Sequence, residues 1–204
     1  MKRIDKGLEP GDFSEWKETD KMSSRPNWNR VPQKIKESIH SSLLDEQGFI
    51  CCYCDARISK TDSHIEHFRP KKYRDLQLDY NNLHCSCQRN PIHGEPLHCG
   101  HKKRSWFDES LLVSPMAAGC EDKFRFYGDG QIVPHNRDAA ATKTIRKLGL
   151  NIPKLQAQRA AAVDAVLEMN LSESEIRSLV TMRDPEGRFV AFCTAIRQVL
   201  LANN

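Results

Sequence analysis

Nowhere does the sequence offer the run of roughly 18 consecutive apolar residues that a bilayer-spanning helix needs. Nor does an apolar stretch follow Met1-Lys2-Arg3-Ile4-Asp5, as it would in a secretory leader. A cytoplasmic protein is the default expectation. Internal repeats and low-complexity tracts are also missing, which excludes solenoid and tail-like architectures. Charge of one sign is scarce too: 31 Lys and Arg stand against 27 Asp and Glu, a net charge of +4. Bulk charge therefore neither demands nor excludes a nucleic-acid partner.

What is present is enough for one sizeable domain, or a small compact module with helical additions. The 39% hydrophobic content over 204 residues can furnish a core, while 28% charged residues and a mean hydropathy of -0.63 leave much polar surface. Basic residues cluster at Arg69, Lys71, Lys72 and Arg74 and again at Lys102, Lys103 and Arg104, both times beside histidines.

Residues 1–32 read as an N-terminal arm, broken by Pro10, Gly11, Pro26 and Pro32. A short helix is expected at Phe13-Ser14-Glu15-Trp16, and Trp16 and Trp28 either dock a partner or pack the arm on its own domain. The spacing of Ile35, Ile39, Leu43 and Leu44, stopping at Gly48, predicts a helix over 33–46. Phe49 to Cys54 and Ser63 to Phe68 read as two short strands around a turn. Residues 79–104, dense in Cys, His and Asn, read as loop with a short helix. A hairpin is expected over 123–133 around Gly128-Asp129-Gly130. Four helices follow, at Ala139–Leu148, Ile152–Glu168, Ser172–Met182 and Phe189–Leu201, and are expected to form a bundle. The working division is 1–32 arm, 33–135 central domain and 136–204 helical bundle, an α+β fold.

Eight cysteines in a chain with no sign of export read better as metal ligands than as disulfides. Cys51-x-x-Cys54 has the spacing of a zinc knuckle, which delivers two thiolates from one tight turn. The second pair is chosen as Cys87 and Cys99, with Cys52 and Cys85 as buried neighbours or alternative ligands. Inert buried cysteines and redox use of Cys51 and Cys54 are the competing readings; the latter lacks a βαβ context.

Between the cysteine groups lies His64-Ile65-Glu66-His67-Phe68-Arg69-Pro70. A neutral imidazole can take a proton from water, and a carboxylate can hold a divalent cation against a scissile phosphate. That pattern points to phosphodiester hydrolysis, with His67 as base and Glu66 as metal ligand. On a strand His64 and Glu66 share one face and His67 takes the other, so Glu66 and His67 converge only if the strand twists or ends near Pro70. Asn82 can donate and accept at once and is the candidate to pin the loop carrying the base. His101, two residues after Cys99, is a candidate second ligand of the catalytic metal, and His64 completes the catalytic set. Arg69, Lys71, Lys72, Lys102 and Lys103 are candidate phosphate contacts. A zinc-binding adaptor without catalysis, for nucleic acid or protein, is the rival reading.

The order Cys-x-x-Cys, Glu-His-x-x-Pro, Asn-Leu, Cys, Cys-x-His-Lys resembles the HNH nuclease superfamily, whose core is a zinc-stapled ββα-metal fold. Met1 to Pro10, Glu46-Gln47-Gly48, Ile50 to Cys54, His64 to Lys71, Cys99 to Lys103 and Cys120 to Phe124 resemble more narrowly the PtuB family of Septu and retron anti-phage systems. The likeness covers roughly residues 1–135. It implies structural Zn²⁺ on Cys51, Cys54, Cys87 and Cys99, and catalytic Mg²⁺ or another divalent metal on Glu66 and His101. It also implies an effector nuclease acting on DNA or RNA with a PtuA-type ATPase, in some systems with a reverse transcriptase and its RNA-DNA hybrid. Two departures stand out. Glu66 replaces the usual Asp, and residues 88–98, including His93 and His98, are inserted where a compact second C-x-x-C is usual; this insertion is either a partner element or a longer surface loop.

Overall fold

The computed structural model describes residues 1–21 and 27–201. Pro26, read as a breaker in the arm, lies outside the described residues. The arm is laid against the core: Met1 and Ile4 are buried, and the Ile4 amide donates to the Pro115 carbonyl (2.8 Å). Lys6 forms a buried ion pair with Glu46 and also donates to the Leu83 carbonyl (2.9 Å). Helix α1 (Gly11–Lys21) starts where the Pro10 carbonyl accepts the Phe13 and Ser14 amides, and it outruns the short helix expected there. Phe13 is buried beneath it and Trp16 stacks on Phe13. Trp28 is only 7% exposed, so both tryptophans pack on their own domain.

Helix α2 (Gln33–Glu46) has the expected limits and buries Ile39, His40, Leu43 and Leu44 on one face. It ends at Gly48 in the left-handed region (φ 59°), where a β-carbon would come within 2.4 Å of the Phe189 ring. Only glycine fits both demands.

The expected strand pair is corrected. Strand β1 (Ser63–His67) pairs antiparallel with β2 (Leu83–Cys87), with Glu66 opposite His84 and His64 opposite Ser86. Phe49 to Cys54 contributes an isolated bridge, Ile50 to Arg57, and then curls so that the Cys51 carbonyl accepts the Asp55 amide (3.1 Å). Its thiols thereby point to one place, which a straight strand would prevent. All five residues of β2 are buried, so its sequence carries no polar–apolar alternation to read. Helix α3 (Cys99–Lys103) is the short helix expected in that segment, and it completes a ββα unit.

The hairpin is present as β3 (Phe124–Phe126) and β4 (Ile132–Pro134). Helices α4 (Ala139–Leu148), α5 (Pro153–Glu168), α6 (Glu173–Thr181) and α7 (Cys193–Leu200) follow. Asp138 caps α4 through the Ala141 amide (2.8 Å), and Ser172 with Glu175 makes a capping box on α6. The four do not form one bundle: α4 packs on β4 and α3, whereas α7 packs on both α5 and α6. Val163, Val166, Ile176, Val180, Cys193 and Ile196 share a second core with Ile50. α7 starts later than expected because the preceding residues dock elsewhere, with the Phe189 amide on Gly48 (3.0 Å) and the Phe192 amide on Asp55 (2.8 Å). The C-terminal helices thus brace the knuckle directly. Among the described residues no helix is long and apolar enough to cross a membrane.

Candidate metal centre and active site

The sulfurs of Cys51, Cys54, Cys87 and Cys99 all lie within 4.8 Å of one another, and all four residues are buried. Cys54 and Cys87 are 3.8 Å apart. A tetrahedron with zinc–sulfur bonds of about 2.3 Å has edges of about 3.8 Å, so these residues fit a tetrathiolate zinc. The knuckle turn brings two thiols, the end of β2 the third and the first residue of α3 the fourth. The Cys87 amide donates to the Cys51 sulfur (3.4 Å), as a thiolate acceptor requires. Cys85 stands apart, its thiol directed to the His40 carbonyl (3.8 Å); burial pushes this thiol and that of Cys52 well up. His98, from the insertion, is buried with Nδ1 3.2 Å from the Cys99 sulfur and 3.6 Å from that of Cys87. Its adjacency to Cys99 in the sequence was the available signal for this closeness.

On β1, His64 and Glu66 project to the same side, where α3 crosses. Gly100 makes the crossing possible: a β-carbon there would lie 2.7 Å from Glu66 Oε2 and 2.9 Å from His64 Nε2. The crossing brings the His101 ring to 4.6 Å from that of His64. His64 Nε2 is 3.7 Å from Glu66 Oε2, while Lys103 Nζ (2.6 Å) and the Tyr53 hydroxyl (3.3 Å) bond Oε1. Burial alone would raise the Glu66 carboxyl, but His64 and Lys103 more than offset it and hold it below its ordinary value. The carboxylate is ionised. His64 Nδ1 and His101 Nε2 are buried without a hydrogen-bond partner. Two imidazoles that each keep a free buried nitrogen, on the same side of β1 as an ionised carboxylate, are ligand types that suit a divalent cation, although among the described residues these ligand atoms do not converge as the four sulfurs do.

His67 takes the other side of β1 and does not meet Glu66 there. Its Nε2–H donates to the Gln77 carbonyl (3.1 Å), which leaves Nδ1 with the lone pair. The ring stands edge-on to Trp28, 4.8 Å between centres. Burial lowers its pKa to about 4, against the raising effect of the Gln77 bond, so the ring is neutral at neutral pH. Asn82 pins the following loop from both ends of its amide: Oδ1 accepts the Arg69 amide (2.7 Å), and Nδ2 donates to the Arg69 and Leu76 carbonyls (both 2.9 Å).

The basic candidates separate. Lys103 is buried and bonded to Glu66 and to the His67 carbonyl (2.9 Å), so it cannot reach a phosphate. Arg69 pairs with Glu109 (2.5 Å). Lys71, Lys72 and Lys102 are exposed, Lys102 lying apart from the other two against Gly149. Tyr53 and Lys103, which hold Glu66, and Ser86, which accepts the Gly100 amide (3.1 Å), went unread in these roles because nothing local marks them.

His84, opposite Glu66, is fully buried with neither ring nitrogen partnered. Burial, with the charges of Lys6 and Lys103, lowers its pKa to about 3. An unfolded histidine near 6.5 binds a proton the folded one refuses, so stability is complete above about 6.5 and falls as pH drops toward the folded value. At pH 5 this one group removes about 2 kcal/mol. The melting temperature is expected to fall between pH 7 and 5, and His84→Phe should make that fall shallower. An unchanged slope in calorimetric scans of the variant would contradict the assignment.

A small α+β protein with short antiparallel sheets and four buried cysteines beside histidines and a carboxylate fits the class of zinc-binding HNH nucleases. No protein-family model matches the chain. Over 144 residues it is 30% identical to a Vibrio cholerae serotype O1 biovar El Tor protein named as the HNH endonuclease of retron Vc95, a match covering 66% of this chain and 68% of that protein. The chain belongs to the HNH endonuclease family.

Proposed function

We propose that the protein is the effector nuclease of a retron or Septu-type anti-phage system, of the PtuB kind, cutting DNA or RNA in the cytoplasm under the control of a PtuA-type ATPase. A reverse transcriptase with its RNA-DNA hybrid is the further partner in the retron setting, which the name of the Vibrio relative supports. The observation that carries the catalytic part is that His64 and His101, whose rings lie 4.6 Å apart on the Glu66 side of β1, each keep a buried ring nitrogen, Nδ1 and Nε2, without a partner while Glu66 is ionised. Buried polar atoms normally find partners, and an adaptor gains nothing by leaving these bare.

Mg²⁺ or another divalent cation, held by Glu66 and His101, would supply positive charge against the scissile phosphate and the leaving oxygen. His67, neutral and fixed in one tautomer by Gln77, would accept the proton of the attacking water at Nδ1 with the scissile phosphate lying across the end of β1, since Glu66 stands on the strand's other side. Asn82 keeps the Arg69–Leu76 loop, and with it that carbonyl anchor, in place. Arg69, Lys71, Lys72 and Lys102 contact phosphates, while Lys103 braces Glu66.

The test is the complete defence complex reconstituted with and without this chain, read by sequencing of the nucleic-acid ends produced. New ends that require both the chain and added divalent metal are expected. Phage protection without such ends would favour the adaptor.

A further inference from the structure

A groove of about 280 Å³ runs along the outer edge of β1, the edge that pairs with no strand among the described residues. Its walls are α2, Trp28, the Lys60 turn and Arg89, and its floor includes Ser63, His64 and Ile65. The groove is basic in a particular way. At one end Lys36 Nζ and Lys71 Nζ both stand over the Trp28 ring, 5.6 and 5.9 Å from its centre. At the other, Arg89 Nη1 donates to the Lys60 carbonyl (2.9 Å), so two cations share one turn, and Lys60 reaches only the Ser41 hydroxyl (3.2 Å). The contacts these four cations make among the described residues are to the Trp28 ring, a carbonyl and a hydroxyl, none of them a carboxylate. Glu37 is the one acid in the lining, and its Oε1 accepts from Gln33 (3.0 Å).

Four cations against Glu37 and, in the Lys60 turn, Asp62 leave an excess of positive charge, which raises the energy of the free protein and lowers that of a complex with an anion. Burial and then Lys36 both lower the Lys71 pKa, as expected of two ammoniums crowding one indole. The crowding is fixed, because the Trp28 amide donates to Gln77 Oε1 (3.1 Å). Gln77 is also the residue whose carbonyl holds His67. An anion seated over Trp28 is therefore registered against His67, and the far end of the groove opens at His64.

We propose that this groove is the path of the substrate strand, its phosphodiester backbone held by Lys36 and Lys71 over Trp28 at one end and by Lys60 and Arg89 at the other. The proposal rests on the nuclease reading and gives it a binding track; of the four cations, only Lys71 was marked by its place beside the motif histidines. The polyanion can be single-stranded DNA, single-stranded RNA or duplex DNA, since backbone contacts carry no base information.

The experiment is fluorescence anisotropy of the zinc-loaded chain, with no Mg²⁺ or other catalytic divalent metal added so that nothing is cut, with labelled oligonucleotides of each kind between about 50 and about 200 mM salt. Each lost phosphate contact lowers the slope of log affinity against log salt by about 0.7 for single strands and about 0.9 for duplex. Lys36→Ala with Lys71→Ala should lower it by about 1.5, and all four substitutions by about 3. Arg125→Ala with Arg146→Ala, on exposed positions elsewhere, serves as control and should leave it unmoved. Zinc content and melting curves are expected to match wild type. The probe that loses the most contacts, its slope change divided by about 0.7 for single strands or about 0.9 for duplex, names the substrate. A wild-type slope retained by the fourfold variant overturns the groove, and if the reconstituted complex carrying that variant still cuts, the nuclease reading stands. A wild-type chain that binds no probe, in a complex that does not cut, overturns both.

Discussion

Replacing Cys99 by serine is expected to remove zinc from the chain and to abolish its cooperative unfolding transition. Cys99 is fully buried and joins α3 to the knuckle and to the end of β2. The segments so joined are short: the ββα unit has two five-residue strands and a five-residue helix, too little regular structure to hold itself together. Structural zinc contributes on the order of 10–16 kcal/mol in small domains, as much as or more than the roughly 5–15 kcal/mol by which a domain is stable at all. A hydroxyl is a poor zinc ligand, so three thiolates must hold the ion or release it. Elemental analysis should give about one zinc per wild-type chain and far less for the variant, and chelation of wild type should reproduce its loss of the melting transition. Cys85→Ala separates ligation from burial. That thiol is as buried as Cys99 but faces His40, so the variant should lose stability through packing alone and keep its zinc. Equal zinc loss in both variants would mean that Cys85 belongs to the site. His98 Nδ1 is within 3.6 Å of two of the sulfurs, but four thiolates already complete the tetrahedron, so His98→Ala should also retain zinc; losing it would make His98 a ligand in place of one thiol.

The parts legible in the sequence were those written in local periodicity or in the chemistry of single residues. α2 could be bounded from its apolar spacing and Gly48, and α4 from Asp138 and Gly149, because caps and stripes act within a few residues. The family motif marked the histidines and cysteines. What stayed hidden depends on pairings distant in sequence. β2 is buried on both faces, so its pattern looks like any apolar run interrupted by histidine and cysteine. Lys103 looked like a surface cation beside Lys102; only the turn of α3 over Gly100 sends one of them into the core and the other to solvent. The separation of α4 from the other helices was equally out of reach, since its apolar face does not say which surface it will cover. Lys36, Lys60 and Arg89 are scattered through polar sequence and become a group only once the edge of β1 gathers them.

His67→Ala is expected to lower cleavage by the assembled complex about 10³-fold, within the range general-base catalysis supplies, while zinc content stays at wild type. The buried ring packs on Trp28, so some stability is lost as well, and rates should be compared well below the melting temperature. Glu66 needs a different experiment. Glu66→Gln leaves the Lys103 ammonium buried beside a neutral amide, and removing one partner of a buried pair costs about 3–5 kcal/mol. An inactive single variant could therefore be merely unfolded. Glu66→Gln combined with Lys103→Met removes both charges; it should recover most of the lost stability and remain inactive if Glu66 does chemistry. Recovery of stability and of cleavage together would reduce the pair to a structural brace. His64→Ala decides between the two sides of β1. His64 and His101 keep company with Glu66, while His67 stands alone with Gln77 and Trp28. If cleavage survives His67→Ala and is lost in His64→Ala at equal zinc content, the base is His64, acting with Glu66, and His67 serves to hold Trp28 and the strand end.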